Sequence, residues 1–345
     1  MEIDVCAPAK AILLGEHFVV YGARGIVCAI EPYNCMEVKI SGEGEAGLEY
    51  YSTIKESSLI LKPRVCMKEN VGMHPIGAVY CKLLSEYPHL QEVHAKANVK
   101  KCWALKGVGN SSSLSGAFAY GMRKLIGGQA PAENELLEDV QTGDKAAHGN
   151  PSGIDASAIS MGGALLFRKK FDGKGPEIIR IGQKIPEKYE FLLVDTKQLG
   201  EKKADTKVQV QRFARHYGVG KAPSELDDGK RNEIISKYEK ILEEALLAFE
   251  TGEMEKFGKC MNENHLLLKE AGVSSPSIEK AVKVCMSNGA VGAKMSGAGG
   301  AGGAVIALFE KGKMEKAVKE LEGNKFECRE FKIAQKGVHE KEMKK

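Results

Sequence analysis

The sequence has no unbroken apolar run of the ~18 residues a membrane-spanning helix needs, so nothing in it argues for a membrane partner. Glu2 and Asp4 precede any apolar stretch, which departs from the basic-then-apolar pattern of a secretory signal. A charge excess of one sign is also missing. Fifty basic residues face 46 acidic ones for a net charge of +4, too small and too mixed for a nucleic-acid surface. The basic end, KGVHEKEMKK (336–345), reads as a solvated tail. There is no Cys-x-x-Cys pair, no internal repeat and no low-complexity tract. The nine cysteines are odd in number and sit among apolar neighbours, as in GIVCAI and AVYCKL. They read as buried thiols in a reducing compartment, not as disulfides or a zinc site, which places the chain in the cytoplasm.

Glycine is what the chain has in excess, at 39 of 345 residues against a usual share of ~7%. The glycines gather in two short stretches and follow no period, so collagen-like and linker readings fail. The length suits two domains. Residues 1–185 read as an antiparallel sheet with inserted helices, the nucleotide- and substrate-binding half of the chain. Strand-like runs occur at 2–7, 25–30, 36–40, 92–99 and 162–167, and helical spacing at 76–84, 113–125 and 133–147. Residues 186–345 form the second unit, with a buried strand at 190–196, amphipathic helices at 232–251 and 254–271, a strand at 303–309, a charged helix and a last strand, FECREFKI. Residues 217–230 read as a mobile surface loop.

Four stretches carry chemistry: APAKAILLGEHFVVYG (7–22), GVGNSSSLSG (107–116), HGNPSGID (148–155) and KMSGAGGAGG (294–303). A phosphate held by backbone needs N–H groups that converge at a helix start. Gly107 and Gly109 allow that approach, and Asn110, Ser111, Ser112 and Ser113 supply N–H groups and hydroxyls. No Gly-Lys-Ser/Thr follows, so this is not a Walker A loop. Taken alone, the stretch could equally be a serine-rich cap. The turn Asn-Pro-Ser-Gly fixes the backbone and sets Asp155 just past it, where it either caps a helix or serves a site. Asp144 precedes His148 by one helical turn. One of the two carboxylates can hold Mg²⁺ beside phosphates while the other meets an acceptor hydroxyl, since magnesium uses few protein carboxylates. His148 reads as a packing or capping residue. Lys10 lies inside an apolar strand and either snorkels out or points into a site, and Glu16 and His17 follow Gly15 at the end of that run. Five glycines between 297 and 303 exceed what a turn requires and indicate close approach of backbone to a ligand or another loop. Together these residues make a site for moving the γ-phosphoryl of ATP onto a small alcohol.

In that order along the chain, the stretches resemble the superfamily of galactokinases, homoserine kinases, mevalonate kinases and phosphomevalonate kinases, with the likeness strongest to archaeal mevalonate kinases. It extends over almost the whole length, since MNENHLLLKEAGVSS (261–275) also matches in order. The resemblance implies an α+β fold of two domains, the first ribosomal-protein S5 domain 2-like and the second ferredoxin-like, with the nucleotide between them. It implies Asp155 as the base that takes the acceptor's proton and Lys10 as its partner favouring the alkoxide. It implies substrate contacts from Glu16, His17 and Thr206, ATP contacts from Lys106, Gly107, Val108, Gly109, Asn110, Ser111, Ser112 and Ser113, and Mg²⁺ held by Ser111 and Asp144. The implied reaction is ATP-dependent phosphorylation of the 5-hydroxyl of mevalonate, in isoprenoid biosynthesis. A homodimer is compatible with this reading.

The chain departs from the family pattern in three places. The usual proline and first glycine of the nucleotide loop are absent and Asn110 replaces a serine. Asp144 stands for a glutamate, and Ala301 and Gly303 stand where glycine and often cysteine are usual. Two other readings compete: a superfamily kinase for another small hydroxyl compound such as phosphomevalonate, and a metabolite-binding regulator without catalysis. Retention of both Lys10 and Asp155 argues against the regulator, because binding alone requires neither.

Overall fold

The computed structural model describes the chain apart from residues 53, 55–56, 68–73, 103–104, 106, 198–203 and 343–345. Its first part runs β1 (Glu2–Leu14), β2 (Arg24–Ser41), β3 (Gly47–Ser52), β4 (Ser57–Leu61), α1 (Pro75–Glu86), β5 (His94–Lys101), α2 (Asn110–Gly127), α3 (Glu133–His148), α4 (Ile154–Met161), β6 (Ala164–Arg168) and β7 (Glu177–Arg180). The second part continues with β8 (Tyr189–Asp195), α5 (Thr206–His216), α6 (Asp228–Thr251), α7 (Met254–Glu270), α8 (Pro276–Ser287), β9 (Gly292–Ser296), β10 (Ala304–Glu310), α9 (Met314–Gly323), β11 (Glu327–Phe331) and β12 (His339–Glu340). Among the described residues, no helix is long and apolar enough to cross a membrane.

Two sheets organise these elements. The larger has the order β12-β1-β2-β5-β3-β4, with β6 joining β2 to β7, and the smaller is β11-β8-β10-β9. The architecture is α+β with two domains, as expected, and the chain's last strand returns to the first sheet by pairing with β1. Strand β1 pairs antiparallel with β2 along nearly its whole length, and the register jumps between Ala7 and Ala9. Pro8 falls in that interruption, where a missing N–H costs no ladder bond. The irregularity lies two residues before Lys10.

The separate strands expected at 25–30 and 36–40 are one long strand, β2. The helix expected from 113 begins at Asn110, after Gly109 in a left-handed conformation (φ 73°). The helix expected from 232 begins at Asp228, because the Asp227 side chain accepts from the Lys230 N–H at 2.8 Å and caps it. Its predicted stripe, Ile235, Tyr238, Leu242, Ala245 and Phe249, is buried, and each large side chain contributes roughly 1.5–3 kcal/mol by leaving water. Helices α1, α2 and α3 are tied together by the buried Arg123, which donates to Asp139 at 2.5 Å and to Glu86 at 2.6 Å. That network holds the helix that starts at the glycine loop.

The cysteine expectation is corrected. Cys6 is bonded to Cys35 and Cys66 to Cys81, while Cys28, Cys260, Cys285 and Cys328 are free thiols. Cys6 and Cys35 stand directly opposite each other in the β1/β2 ladder, and direct cross-strand partners are close enough to meet. The pairing depends on register, which apolar neighbours in sequence do not report.

Candidate active site

Strand β1 delivers Lys10 into the interior between the two glycine-rich stretches. Its backbone N–H donates to the Val108 carbonyl at 2.8 Å, which fastens the strand to the nucleotide-type loop. A Cβ on Gly109 would lie 2.9 Å from Lys10 Cγ, so only glycine lets the loop pass over the lysine stem. Gly153 (φ 92°) turns the chain into α4, and Asp155 occupies that helix's first turn. There the Lys10 ammonium lies 3.0 Å from the Asp155 carboxylate; the side chains are 5% and 28% exposed. A held lysine with a carboxylate open on one side can receive a reacting hydroxyl.

The glycine loop is built largely by its own polar side chains. Asn110 donates to the Leu105 carbonyl at 2.9 Å. The buried Asn34 donates to Asn110 at 3.2 Å and to Ser113 at 2.8 Å, and Ser113 donates to the Ala7 carbonyl at 3.2 Å. Asn110 and Ser113 therefore tie the loop to β1 and β2, and the N–H groups of α2's first turn are what the loop offers to a phosphate. Gly107 and Val108 shape the approach, and a Cβ on Gly107 would lie 3.2 Å from Ala304 Cβ at the start of β10. The two glycine stretches thus face each other. Lys106 lies outside the described residues.

The serine at the carboxylate is Ser112. Its hydroxyl donates a short hydrogen bond to Asp144 Oδ1, whereas Ser111 is exposed in the same helical turn. The structure brings Asp144 and Ser112 together and does not bring Ser111 to them. Asp144 is buried, and burial together with the nearby Asp155 charge pushes its carboxyl up to about 7. Its second oxygen, Oδ2, is buried without a hydrogen-bond partner. An orphaned carboxylate oxygen beside a hydroxyl is a hard oxygen donor set that fits Mg²⁺, with the remaining ligands coming from phosphate and water. Among the described residues no cluster of three or more His, Cys, Asp or Glu forms a metal cage. His148 is exposed at the end of α3.

On the other side of Lys10, Gly15 (φ 121°) bends the chain so that Glu16 turns inward and His17 sits at positive φ (62°) in a tight turn closed by the Phe18 N–H donating to the Glu16 carbonyl at 2.7 Å. A Cβ on Gly15 would lie 2.8 Å from Gly25 Cα, which leaves room for nothing but glycine. His17 Nε2 lies 3.0 Å from the Ala298 carbonyl in the second glycine stretch, and its ring stacks on Phe213 of α5 at 5.2 Å. Burial lowers its pKa to about 4, so the imidazole is neutral and Nε2 carries the proton toward Ala298. Thr206 opens α5, exposed beside the Asp205 cap. The backbone at Ala204 donates to Ala301 at 2.9 Å, so α5 starts against the second glycine stretch.

Lys294 was not among the expected site residues. It is fully buried on β9, and its ammonium donates a short bond to Glu16 Oε1 and another to the Met295 carbonyl at 2.7 Å. Burial drives the Glu16 carboxyl upward and the Lys294 ammonium downward, each opposed by the other's charge. Glu16 Oε2 is buried and unpartnered. The signal that singled out Lys10, a lysine inside an apolar strand, is present at Lys294 too. Its partner lies 278 residues away, however, and nothing in the sequence joins the two.

The two-domain fold, with a lysine–aspartate pair set between facing glycine loops, defines the chain as a GHMP-type kinase. In agreement, the family described as "GHMP kinases C terminal" matches residues 242–328. Over 341 residues the chain is 31% identical to a mevalonate kinase of Aeropyrum pernix, covering 98% of each, and it belongs to the mevalonate kinase family. It is 29% identical to the mevalonate kinase of Methanocaldococcus jannaschii over 94% of this chain and 96% of that one. Among solved structures, the Methanococcus jannaschii mevalonate kinase superposes with a TM-score of 0.76 at 25% identity, covering 96% and 98% of the two chains. The L. major mevalonate kinase in complex with R-mevalonate superposes with a TM-score of 0.73 at 25% identity, covering 95% and 94%.

Proposed function

We infer that the chain is an ATP-dependent mevalonate kinase, forming 5-phosphomevalonate and ADP. The observation that carries this is the Lys10–Asp155 contact at 3.0 Å, open on one side and flanked by Glu16 with an unpartnered buried oxygen. The family and the mevalonate named in the L. major complex support the acceptor.

In this reading the N–H groups at the start of α2 receive the phosphates of ATP. Asp155 accepts the proton of the acceptor hydroxyl, and Lys10 holds that carboxylate in place and stabilises the alkoxide as it forms. Glu16 Oε2 accepts a hydrogen bond from a substrate hydroxyl, and Thr206 contacts the substrate at the start of α5. Asp144 and Ser112 would hold Mg²⁺, which when bound neutralises charge on the β- and γ-phosphate oxygens. We place the enzyme in the cytoplasm, where ATP is supplied; the two disulfides remove the cysteine argument for that placement. A homodimer belongs to the same reading, and sedimentation of the purified chain tests it.

The test of function is ADP release with mevalonate, phosphomevalonate, galactose and homoserine as acceptors. Turnover of mevalonate should exceed the others by ~10²-fold or more, as expected of a site that pairs buried polar groups with substrate hydroxyls. Preference for phosphomevalonate, or no release with any of the four, would overturn the reading.

A further inference from the structure

Behind the His17 turn, on the outer side of the domain junction, lies a crevice of about 410 Å³. Tyr21, the end of β6 and the first turns of α6 wall it, and the segment after β6 crosses its floor with Lys169 and Phe171. The Lys169 ammonium is 5.9 Å from the centre of the Phe171 ring and the Arg231 guanidinium 4.8 Å, so two cations share one aromatic ring. Arg231 has Asp228 at 2.7 Å, and the neighbouring Lys170 has Glu177 at 3.4 Å. Arg168 donates its Nε to the Gly22 carbonyl at 3.0 Å. Among the described residues, no carboxylate lies within ion-pair distance of Arg168 or Lys169. The one acidic wall residue besides Asp228 is Asp172, which accepts from the Lys174 N–H at 3.0 Å.

A half-buried ammonium without a counter-charge is costly, and folded proteins pair such groups. Burial alone moves Lys169 below its ordinary value. Lys169 is such an ammonium, set against an apolar ring, and the exposed Arg168 stands next to it on the same wall; together they match a dianion attached to a small organic body. We propose that this crevice is a second ligand site, separate from the Lys10–Asp155 centre, that binds a phosphomonoester through Lys169 and Arg168 with its carbon part against Phe171 and Tyr21. The phosphate's negative charge supplies what the protein withholds there, and guanidinium and ammonium donors suit phosphate oxygens. The site adjoins the substrate turn: Tyr21 contacts Phe213 at 5.6 Å, and Phe213 stacks on His17. Occupancy should therefore be felt in the acceptor KM before it is felt in the ATP KM.

The test is calorimetric titration of the full chain, saturated with ADP, with glycerol 3-phosphate as probe. One binding event is expected. Lys169→Met combined with Arg168→Met should weaken it by ~10-fold or more, Lys169→Arg should retain it, and Asp155→Asn should leave it unchanged. Retained ADP affinity reports that each variant is folded. Three results would each overturn the proposal: no binding up to ~10 mM, the range of the weakest specific complexes; binding indifferent to the double substitution; or binding lost in Asp155→Asn. None of these depends on which alcohol the enzyme phosphorylates.

Discussion

Two lysine–carboxylate pairs flank the same strand and differ in almost everything but composition. Lys10 and Asp155 meet at 3.0 Å with the aspartate 28% exposed. Glu16 and Lys294 meet with both side chains at 0%. The first pair joins β1 to the start of α4, within the first sheet's domain, and is open to a reactant. The second joins the turn after β1 to β9 in the second sheet and is sealed. An ion pair in water's reach can exchange a proton with substrate but contributes little to stability. A sealed pair cannot exchange protons freely, yet loses heavily if one partner goes, because the other charge is left buried and alone. In the proposed function, the strand presents a reacting pair and a positioning pair on either side of one substrate space.

The largest expected effect is at the open pair. Asp155→Asn should lower kcat by ~10²–10⁴-fold, the scale of removing a positioned base, with ATP still bound. Lys10→Met should act in the same direction on kcat more than on the ATP KM. Steady-state kinetics with both substrates varied checks this. Turnover within a few-fold of the parent would mean that the open pair is not the reacting one. A loss confined to ATP KM in Lys10→Met would make the lysine a nucleotide ligand.

At the sealed pair the expected losses are in stability and acceptor binding. Lys294→Met should destabilise the fold by about 3–5 kcal/mol, since Glu16 remains charged and buried. Glu16→Gln/Lys294→Met, with neither charge, should recover most of that loss in chemical denaturation without restoring the acceptor KM. The pH dependence sharpens the point. Burial already raises the Glu16 pKa and the Lys294 charge opposes it; without the ammonium the carboxyl rises further and protonates at a higher pH. The acceptor KM of Lys294→Met should therefore be poorest at low pH and fall as pH rises through that pKa, while the parent holds its KM to lower pH. A parallel pH profile in the two enzymes would show that Lys294 does not act through Glu16.

The comparison also marks what the sequence could convey. Lys10, Asp155, Glu16 and His17 were legible because each stands at a local irregularity: a charge in an apolar run, a residue past an Asn-Pro-Ser-Gly turn, a pair after a glycine. The α+β order and the amphipathic face of α6 were legible from periodicity. What failed was information carried by pairing. The serine that meets Asp144 is Ser112, the neighbour of the Ser111 to which the resemblance assigns the metal; which serine faces the carboxylate depends on where the helix starts, and α2 starts at Asn110. The Cys6–Cys35 bond depends on the register of β1 on β2. The Glu16–Lys294 contact depends on how the two sheets meet. Helix α5, which carries Phe213 onto His17, follows a polar, lysine-rich stretch, and its own apolar side chains are too few to announce it.

The smallest expected effect lies between the two pairs, at Asp144, buried like Glu16 yet charge-coupled to Asp155. Its length is one methylene less than the glutamate of the family pattern, so it must either draw its helix toward a metal or reach it through water. The structure leaves Oδ2 unpartnered and commits Oδ1 to Ser112. Magnesium keeps its waters firmly and requires octahedral geometry at ~2.0–2.1 Å, which favours a bridging water between Asp144 and the ion. Asp144→Ala should then raise the Mg²⁺ concentration for half-maximal rate several-fold, about the loss of one charge-assisted hydrogen bond, and leave the rate at saturating metal less affected than Asp155→Asn does. Ser112→Ala should shift the metal requirement in the same direction, whereas Ser111→Ala should not. Asp144→Glu should remain active, and Mn²⁺ should partly rescue Asp144→Ala, since it accepts the same oxygen donors. Metal titrations of the initial rate for the four variants decide the matter. An unchanged Mg²⁺ requirement in Asp144→Ala would remove this carboxylate from the metal site, and a shift in Ser111→Ala but not in Ser112→Ala would return the ligand to the exposed serine.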